Sequence, residues 1–321
     1  MKIIVFAKGE RGRLVLSQII KDPQCQILAL VTQPHQEDPA SSELRSLAKK
    51  NTITLFNVNS PNETKWVKKF RSLKPDIFLL AGYGKILKKE LLQIPNKITI
   101  NLHGGQLPQM RGSSPMNWSL IRDHKHFTVN VIEVNEGIDT GPILASQTFK
   151  INTQDTIVDL HRKANTAFVK LIPKILTNIR KNNLKRKKQN ETQSAYYSRR
   201  FAEDGFILWD SMRANDIHNL IRALTTPYPG AFSFYENQKI FILQSELPLN
   251  KYIGEPGRIL KVESNRYLVG ASDQALWISN LRAESDKTIS FPLKRYTSFL
   301  TTKKAILGSL TSHHPLQMVN K

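Results

Sequence analysis

Hydrophobic positions fall into short blocks along the first half of the chain. Residues 2–7 (KIIVFA) form an apolar, β-rich run that ends at Gly9, and residues 13–20 then carry apolar side chains at helical spacing. The alternation continues with a strand at 26–32 (QILALVT), a helix at 42–50, a short strand at 52–56 and a helix at 65–73. Pro75 precedes an apolar strand at 76–81 (DIFLLA), and 97–103 (KITINLH) follows after an amphipathic segment. Apolar strands alternating with helices predict an α/β fold, a mostly parallel sheet covered by helices on both faces. Another strand reads at 127–134, and 155–180 reads as a long amphipathic helix, interrupted or kinked near Pro173.

The pattern then changes. Residues 181–194 (KNNLKRKKQNETQS) offer almost nothing to a core and read as a basic connector, with a phosphate-binding patch as the alternative. Beyond it come a helix at 214–223 and the turn Pro227-Tyr228-Pro229-Gly230. Short strands at 231–235, 239–244, 257–262, 267–270 and 275–281, evenly punctuated by turns, predict a small antiparallel barrel or sandwich. The expected organisation is therefore an α/β domain over 1–180, a linker over 181–200, a smaller β-barrel-like domain over 201–310 and a polar tail over 311–321.

Composition narrows the function classes. Of 321 residues, 40% are hydrophobic and 23% charged, which excludes whole-chain disorder. The start, MKIIVFAKGERG, gives no secretory signal or membrane span, so a cytoplasmic protein without membrane insertion is expected. The single cysteine, Cys25, rules out an intramolecular disulfide and a cysteine-cluster metal site. The net charge of +21 suits a phosphate-bearing partner but equally a lysine-rich genome, so it does not choose the substrate. The loop at 8–12 (KGERG) lacks the G-x-G-x-x-G spacing of a dinucleotide site.

The densest chemistry lies at 101–112 (NLHGGQLPQMRG), at the end of a predicted strand, where open α/β sheets carry their sites. Side chains two apart on a strand share a face, so Asn101 and His103 point together while Leu102 turns into the core. A second polar turn, 135–142 (NEGIDTGP), follows another strand and could bring Asp139 to His103. Spacing alone leaves a satisfied core histidine and an ordinary Asx turn open.

At these residues the chain resembles the folate-dependent formyltransferases. The matching motifs are N-x-H with L-P-x-x-R-G, from Asn101 to Gly112, and G-x-D-x-G, from Gly137 to Gly141. Arg199-Arg200, Trp209, His218-Asn219, Ile221-Arg222-Ala223 and the segment 227–232 (PYPGAF) are similar to the second domain of aminoarabinose formyltransferases. The resemblance implies a formyltransferase fold for 1–180, with Asn101 as oxyanion donor, His103 as acid and base, and Asp139 holding the imidazole. It further implies 10-formyltetrahydrofolate as formyl donor, bound by Lys85, Ile86, Leu87, Ser113 and Asn135, Glu136, Gly137, Ile138 and Asp139, without a metal. Arg111, Asn117, Arg222 and Tyr228 are the expected acceptor-binding residues. One departure stands out, since relatives usually have serine where this chain has Gly105.

The implied acceptor is an amino-deoxy sugar nucleotide linked to UDP or dTDP, as used for cell-envelope polysaccharide or lipopolysaccharide; the alternative is methionyl-tRNA. The tRNA enzymes carry a basic insertion after the second strand, whereas 33–42 (QPHQEDPASS) is short and acidic here, a poor wedge for RNA. A homo-oligomer is left open.

Overall fold

The computed structural model describes residues 1–34, 39–284 and 293–305, so the acidic positions Gln36–Asp38 and the tail 311–321 lie outside the described residues. Two compact units emerge. The first comprises Met1–Pro115, His126–Ile151 and Leu160–Arg199; the second comprises Met116–Lys125, Asn152–Asp159 and residues from Arg200 onward. The chain thus enters the second unit three times.

In the first unit the elements run β1 (Lys2–Ala7), α1 (Gly9–Ile20), β2 (Gln26–Thr32), α2 (Pro39–Lys50), β3 (Leu55–Asn57), α3 (Thr64–Ser72), β4 (Ile77–Ala81), α4 (Lys89–Leu92), β5 (Ile98–His103) and β6 (Arg111–Gly112). α5 (Pro115–Ile121), which beyond Pro115 belongs to the second unit, is followed by β7 (His126–Glu133), β8 (Ile143–Lys150), α6 (Ile157–Arg180), whose first three residues also belong to the second unit, and β9 (Tyr196–Tyr197). A seven-stranded sheet has the order β3-β2-β1-β4-β5-β7-β8. β1 to β5 pair in parallel, and β7 and β8 add antiparallel strands at one edge. The alternation of β1 explains why both faces need cover. Ile4 and Phe6 enter one aromatic-rich cluster with Phe70, Phe78 and Tyr83, while Ile3 and Val5, on the opposite face, are equally buried.

Three expectations at element level need correction. The expected loop at 8–12 is the first turn of α1, because a Cβ on Gly12 would stand 2.8 Å from that of Ala7, so the glycine lets the helix start directly against β1. α6 continues through Pro173 as one helix, with the Thr177 hydroxyl donating to the Pro173 carbonyl at 2.9 Å. The basic stretch after α6 packs on the first unit: Lys187 exchanges backbone hydrogen bonds with Ile143, and β9 pairs in parallel with β6.

In the second unit α7 (Ala214–Leu224) precedes β10 (Ala231–Tyr235), β11 (Gln238–Glu246), β12 (Ile259–Glu263), β13 (Arg266–Gly270) and β14 (Ala275–Ala283), an antiparallel sheet in the order β10-β11-β14-β13-β12. The stretch 296–300 bonds to Gly257 and Ile259 on one side, and the Leu300 N–H donates to the Phe234 carbonyl on the other. Both sheet edges are thereby covered in a barrel-like closure. Trp209 fills its interior, stacked on Phe299 and donating its indole N–H to Ser233.

Candidate active site

β5 carries Asn101 and His103 on one side, with Leu102 buried on the other. His103 is only 5% exposed, and its Nε2 lies 2.7 Å from the Met110 carbonyl oxygen. A carbonyl only accepts, so Nε2 carries the hydrogen and Nδ1 is left facing Asp139 Oδ2 at 3.4 Å. Burial pushes the imidazole pKa down; the Asp139 charge and the Met110 carbonyl oppose this, and Arg11 adds to the lowering. Desolvation of the ring thus outweighs the neighbouring carboxylate, which favours its protonation.

Asp139 is the point of convergence. Its Oδ1 accepts from Asn101 Nδ2 at 3.4 Å and its Oδ2 from the Gly112 N–H at 3.0 Å. The residue has φ of 53°, a left-handed conformation that Asp tolerates better than most side chains. Gly141 permits the turn to close, since a Cβ there would come within 1.8 Å of the Glu133 carbonyl oxygen. The loop on the other flank has a comparable requirement. A Cβ on Gly105 would stand 2.5 Å from the Cβ of Pro115 and 2.9 Å from His103 Nε2. The absence of a side chain at Gly105 is therefore what lets residues 104–110 fold over the imidazole. Asn130 on β7 braces this loop through the Gly105 carbonyl and is itself held by the Ser146 hydroxyl.

Apart from Ser113, which follows β6, the residues expected to hold the formyl donor lie on two adjoining loops. Lys89 and Glu136 approach to 3.6 Å, linking the segment after β4 to the turn bearing Asp139. Asn62 shapes the first loop by bonding the Ile86 carbonyl and the Lys88 N–H. Ile86 and Ile138 are 63% and 50% exposed, apolar side chains offered to solvent, whereas Leu87 is buried in the core cluster. Lys85, Asn135, Glu136 and Gly137 are exposed, and Ser113 is half-buried with its N–H donating to Tyr197. A cavity of about 490 Å³ is lined by Asn135, Thr140, Pro142, Arg186, Lys188, Gln189 and Glu191. Among the described residues no cluster of His, Cys, Asp or Glu is arranged to hold a metal ion, and no helix is long and apolar enough to cross a membrane.

Of the expected acceptor ligands, Arg111, Asn117 and Arg222 are buried and engaged within the protein. Arg111 is fully buried, and its guanidinium bonds to Gln189, Glu191 and the Tyr196 hydroxyl, so it serves as an internal anchor. Asn117 belongs to the second unit and donates to the Ala223 carbonyl at the end of α7. Arg222, also buried there, bonds to Asn219 and to the carbonyls of Asn152 and Asp155, which ties the segment 152–159 to α7. Tyr228 is half-buried in the turn after α7. Conversely, sequence reasoning passed over Gln189, Asn130 and Arg11. Arg11 donates to the Leu102 carbonyl beside His103, but a lone arginine in a glycine-containing stretch carries no spacing signal.

The chain is similar to known proteins along most of its length. Residues 1–176 match the formyl transferase family and residues 200–293 match the formyl transferase C-terminal domain. The bifunctional polymyxin resistance protein ArnA of Wigglesworthia glossinidia brevipalpis is 34% identical over 324 residues, covering 99% of this chain and 48% of that protein. The chain thus spans about half of that relative. The methionyl-tRNA formyltransferase of Thermodesulfovibrio yellowstonii is 32% identical over 293 residues, covering 90% of this chain and 93% of that enzyme. Among solved structures, the N-formyltransferase of Helicobacter canadensis, in complex with folinic acid and dTDP-3-aminofucose, has a TM-score of 0.67 at 21% identity, covering 88% of this chain and 100% of that one. At that identity the likeness speaks for the fold.

Proposed function

The chain belongs to the formyltransferase family, and from that premise we propose that it transfers a formyl group from 10-formyltetrahydrofolate to the amine of an amino-deoxy sugar nucleotide, UDP- or dTDP-linked. The observation that carries the chemistry is the meeting of Asn101 and His103, at the end of β5, on the partly buried carboxylate of Asp139. The acceptor amine attacks the formyl carbon, and negative charge develops on the formyl oxygen. The Asn101 amide, drawn from its long contact with Asp139, donates to that oxygen; a preorganised donor of this kind is worth on the order of 3 kcal/mol. The attacking nitrogen loses its proton to His103 at Nδ1, since Nε2–H is committed to Met110. The Asp139 charge stabilises the imidazolium so formed, which then returns the proton to the departing folate nitrogen.

The flat pterin of the donor suits the loops presenting Ile86 and Ile138, and Arg186 and Lys188 beside Asn135 suit its carboxylates. For the acceptor, support comes from the ArnA relative, which matches along nearly the whole chain, and from the acidic segment at 36–38. A second reading, methionyl-tRNA as acceptor, is favoured by the similarity over 93% of a methionyl-tRNA formyltransferase and by the charge of +21. The test is a side-by-side assay with the formyl-folate and UDP-aminoarabinose, dTDP-amino-deoxyhexoses or methionyl-tRNA, products being identified by mass. Formylated sugar nucleotide, with KM weakly dependent on salt, is expected. Efficient formylation of methionyl-tRNA with steep, log-linear salt sensitivity would establish the second reading instead.

A further inference from the structure

Within the polar stretch that follows α6, Gln189 is an exception, only 5% exposed while its neighbours Lys188 and Asn190 are exposed. Its amide is fully engaged. Oε1 accepts from Arg111 Nε at 3.2 Å and Nη2 at 3.0 Å, and Nε2 donates to the carbonyls of Asp139 and Gly141, both at 2.7 Å. The orientation follows from the partners, because a guanidinium can only donate and a carbonyl can only accept. We propose that Gln189 is a positioning residue that aims the Asp139 carboxylate at His103 by holding the backbone of the turn around Asp139.

The turn needs such a hold. A left-handed residue other than glycine is strained and persists only where its surroundings fix it. Asp139 has that conformation, and its carboxylate must meet Asn101, His103 and Gly112 together. Arg111 and Gly112 are neighbours on β6. Gly112 holds the Asp139 carboxylate directly, and Arg111 holds the Asp139 carbonyl through Gln189, so one two-residue strand fixes the residue at both ends. Arg111 is anchored in turn by Glu191 at 2.7 Å and by the Tyr196 hydroxyl at 3.0 Å. The Lys187 bridge to Ile143 fixes the segment two residues before Gln189.

The competing role for Gln189 is merely to satisfy Arg111, and two variants separate the two. Gln189→Glu keeps an acceptor for Arg111 but turns oxygen lone pairs toward the carbonyls of Asp139 and Gly141. Gln189→Met keeps the volume and loses both sets of bonds. The inference rests on the role proposed for Asp139, so the primary readout is the imidazole titration of His103, followed by NMR on the free full-length protein, with Asp139→Asn as reference. Thermal melting is measured in parallel. Both variants should titrate at lower pH than wild type, in the direction of Asp139→Asn, since a misdirected carboxylate no longer favours imidazolium. With the formyl-folate and acceptor, kcat should fall on the order of 10²-fold, the cost of a misplacement near 1 Å. Wild-type titration and kcat in Gln189→Glu would overturn the proposal, as would a lowered melting temperature with an unmoved titration in both variants. A shifted titration in a wild-type background that formylates no acceptor would uphold the positioning role and refute the transfer reading.

Discussion

Asn101 and His103 stand on a strand paired on both sides, whereas Asp139, which faces them, stands on a turn held largely by side chains. The two walls of the site are therefore precise for different reasons. On β5 the ladder to Leu80 on one side and to Ile132 and Asn130 on the other sets where the two side chains emerge. Around Asp139 the turn relies on glycines, on one N–H from β6 and on an amide from a segment about 50 residues downstream. Substitution on the first wall should remove chemistry and spare geometry. Substitution behind the second should disturb chemistry through geometry.

The largest effect is expected from His103→Ala, which deletes the proton carrier; kcat should fall on the order of 10²–10⁴-fold. Folate binding by fluorescence titration should change little, because the imidazole touches the loop and not the core of the sheet. Near-wild-type turnover would remove His103 from the chemistry. Asp139→Asn should cost less, about 10–10²-fold, and it carries a sign. Asp139 raises the His103 pKa against the lowering by burial, so its neutralisation should move the His103 limb of the kcat/KM profile to lower pH. An unmoved limb at reduced rate would show that Asp139 acts on something other than the imidazole.

Arg111→Met sharpens the contrast on the second wall. The Gln189 carbonyl oxygen would lose two buried donors, at a cost of about 1–3 kcal/mol in urea unfolding. Acceptor KM should stay close to wild type if Arg111 is an anchor, while a selective rise in KM at full stability would restore it as a substrate ligand. The smallest effect concerns His161 on α6, whose pKa burial lowers from 6.5 to about 4, with Arg11 adding to the shift. The folded state thus binds fewer protons than the unfolded chain, so this contribution is complete above pH 6.5 and is lost progressively toward pH 4. His161→Gln should flatten the fall in melting temperature across that window, and a curve parallel to wild type would exclude His161 as its source.

Legibility in the sequence followed the same division. The apolar runs and two-residue spacing of β5 place Asn101 and His103 together at a strand end before any coordinates are considered, and the glycines at 137 and 141 mark the turn that carries Asp139. The internal bonds of Arg111 were not legible because its polar partners lie 78 to 85 residues away. Gln189 was hidden in a basic run with no periodicity. Its burial comes from one backbone bridge and a two-residue strand, neither of which leaves a local pattern. The passages of residues 116–125 and 152–159 through the second unit were hidden for the same reason, their ties to α7 being side-chain bonds over 65 residues or more.

The most direct measurement is a single-turnover reaction with enzyme in excess over 10-formyltetrahydrofolate, using an amino sugar nucleotide as acceptor and following both products by mass spectrometry. Wild type should release tetrahydrofolate and N-formylated sugar nucleotide in equal amounts, and His103→Ala should release both on the order of 10²–10⁴-fold more slowly while still binding the folate. Wild-type protein that binds the formyl-folate but formylates neither sugar nucleotide nor methionyl-tRNA, or a His103→Ala variant with undiminished transfer, would contradict the assignment of formyl transfer to Asn101, His103 and Asp139.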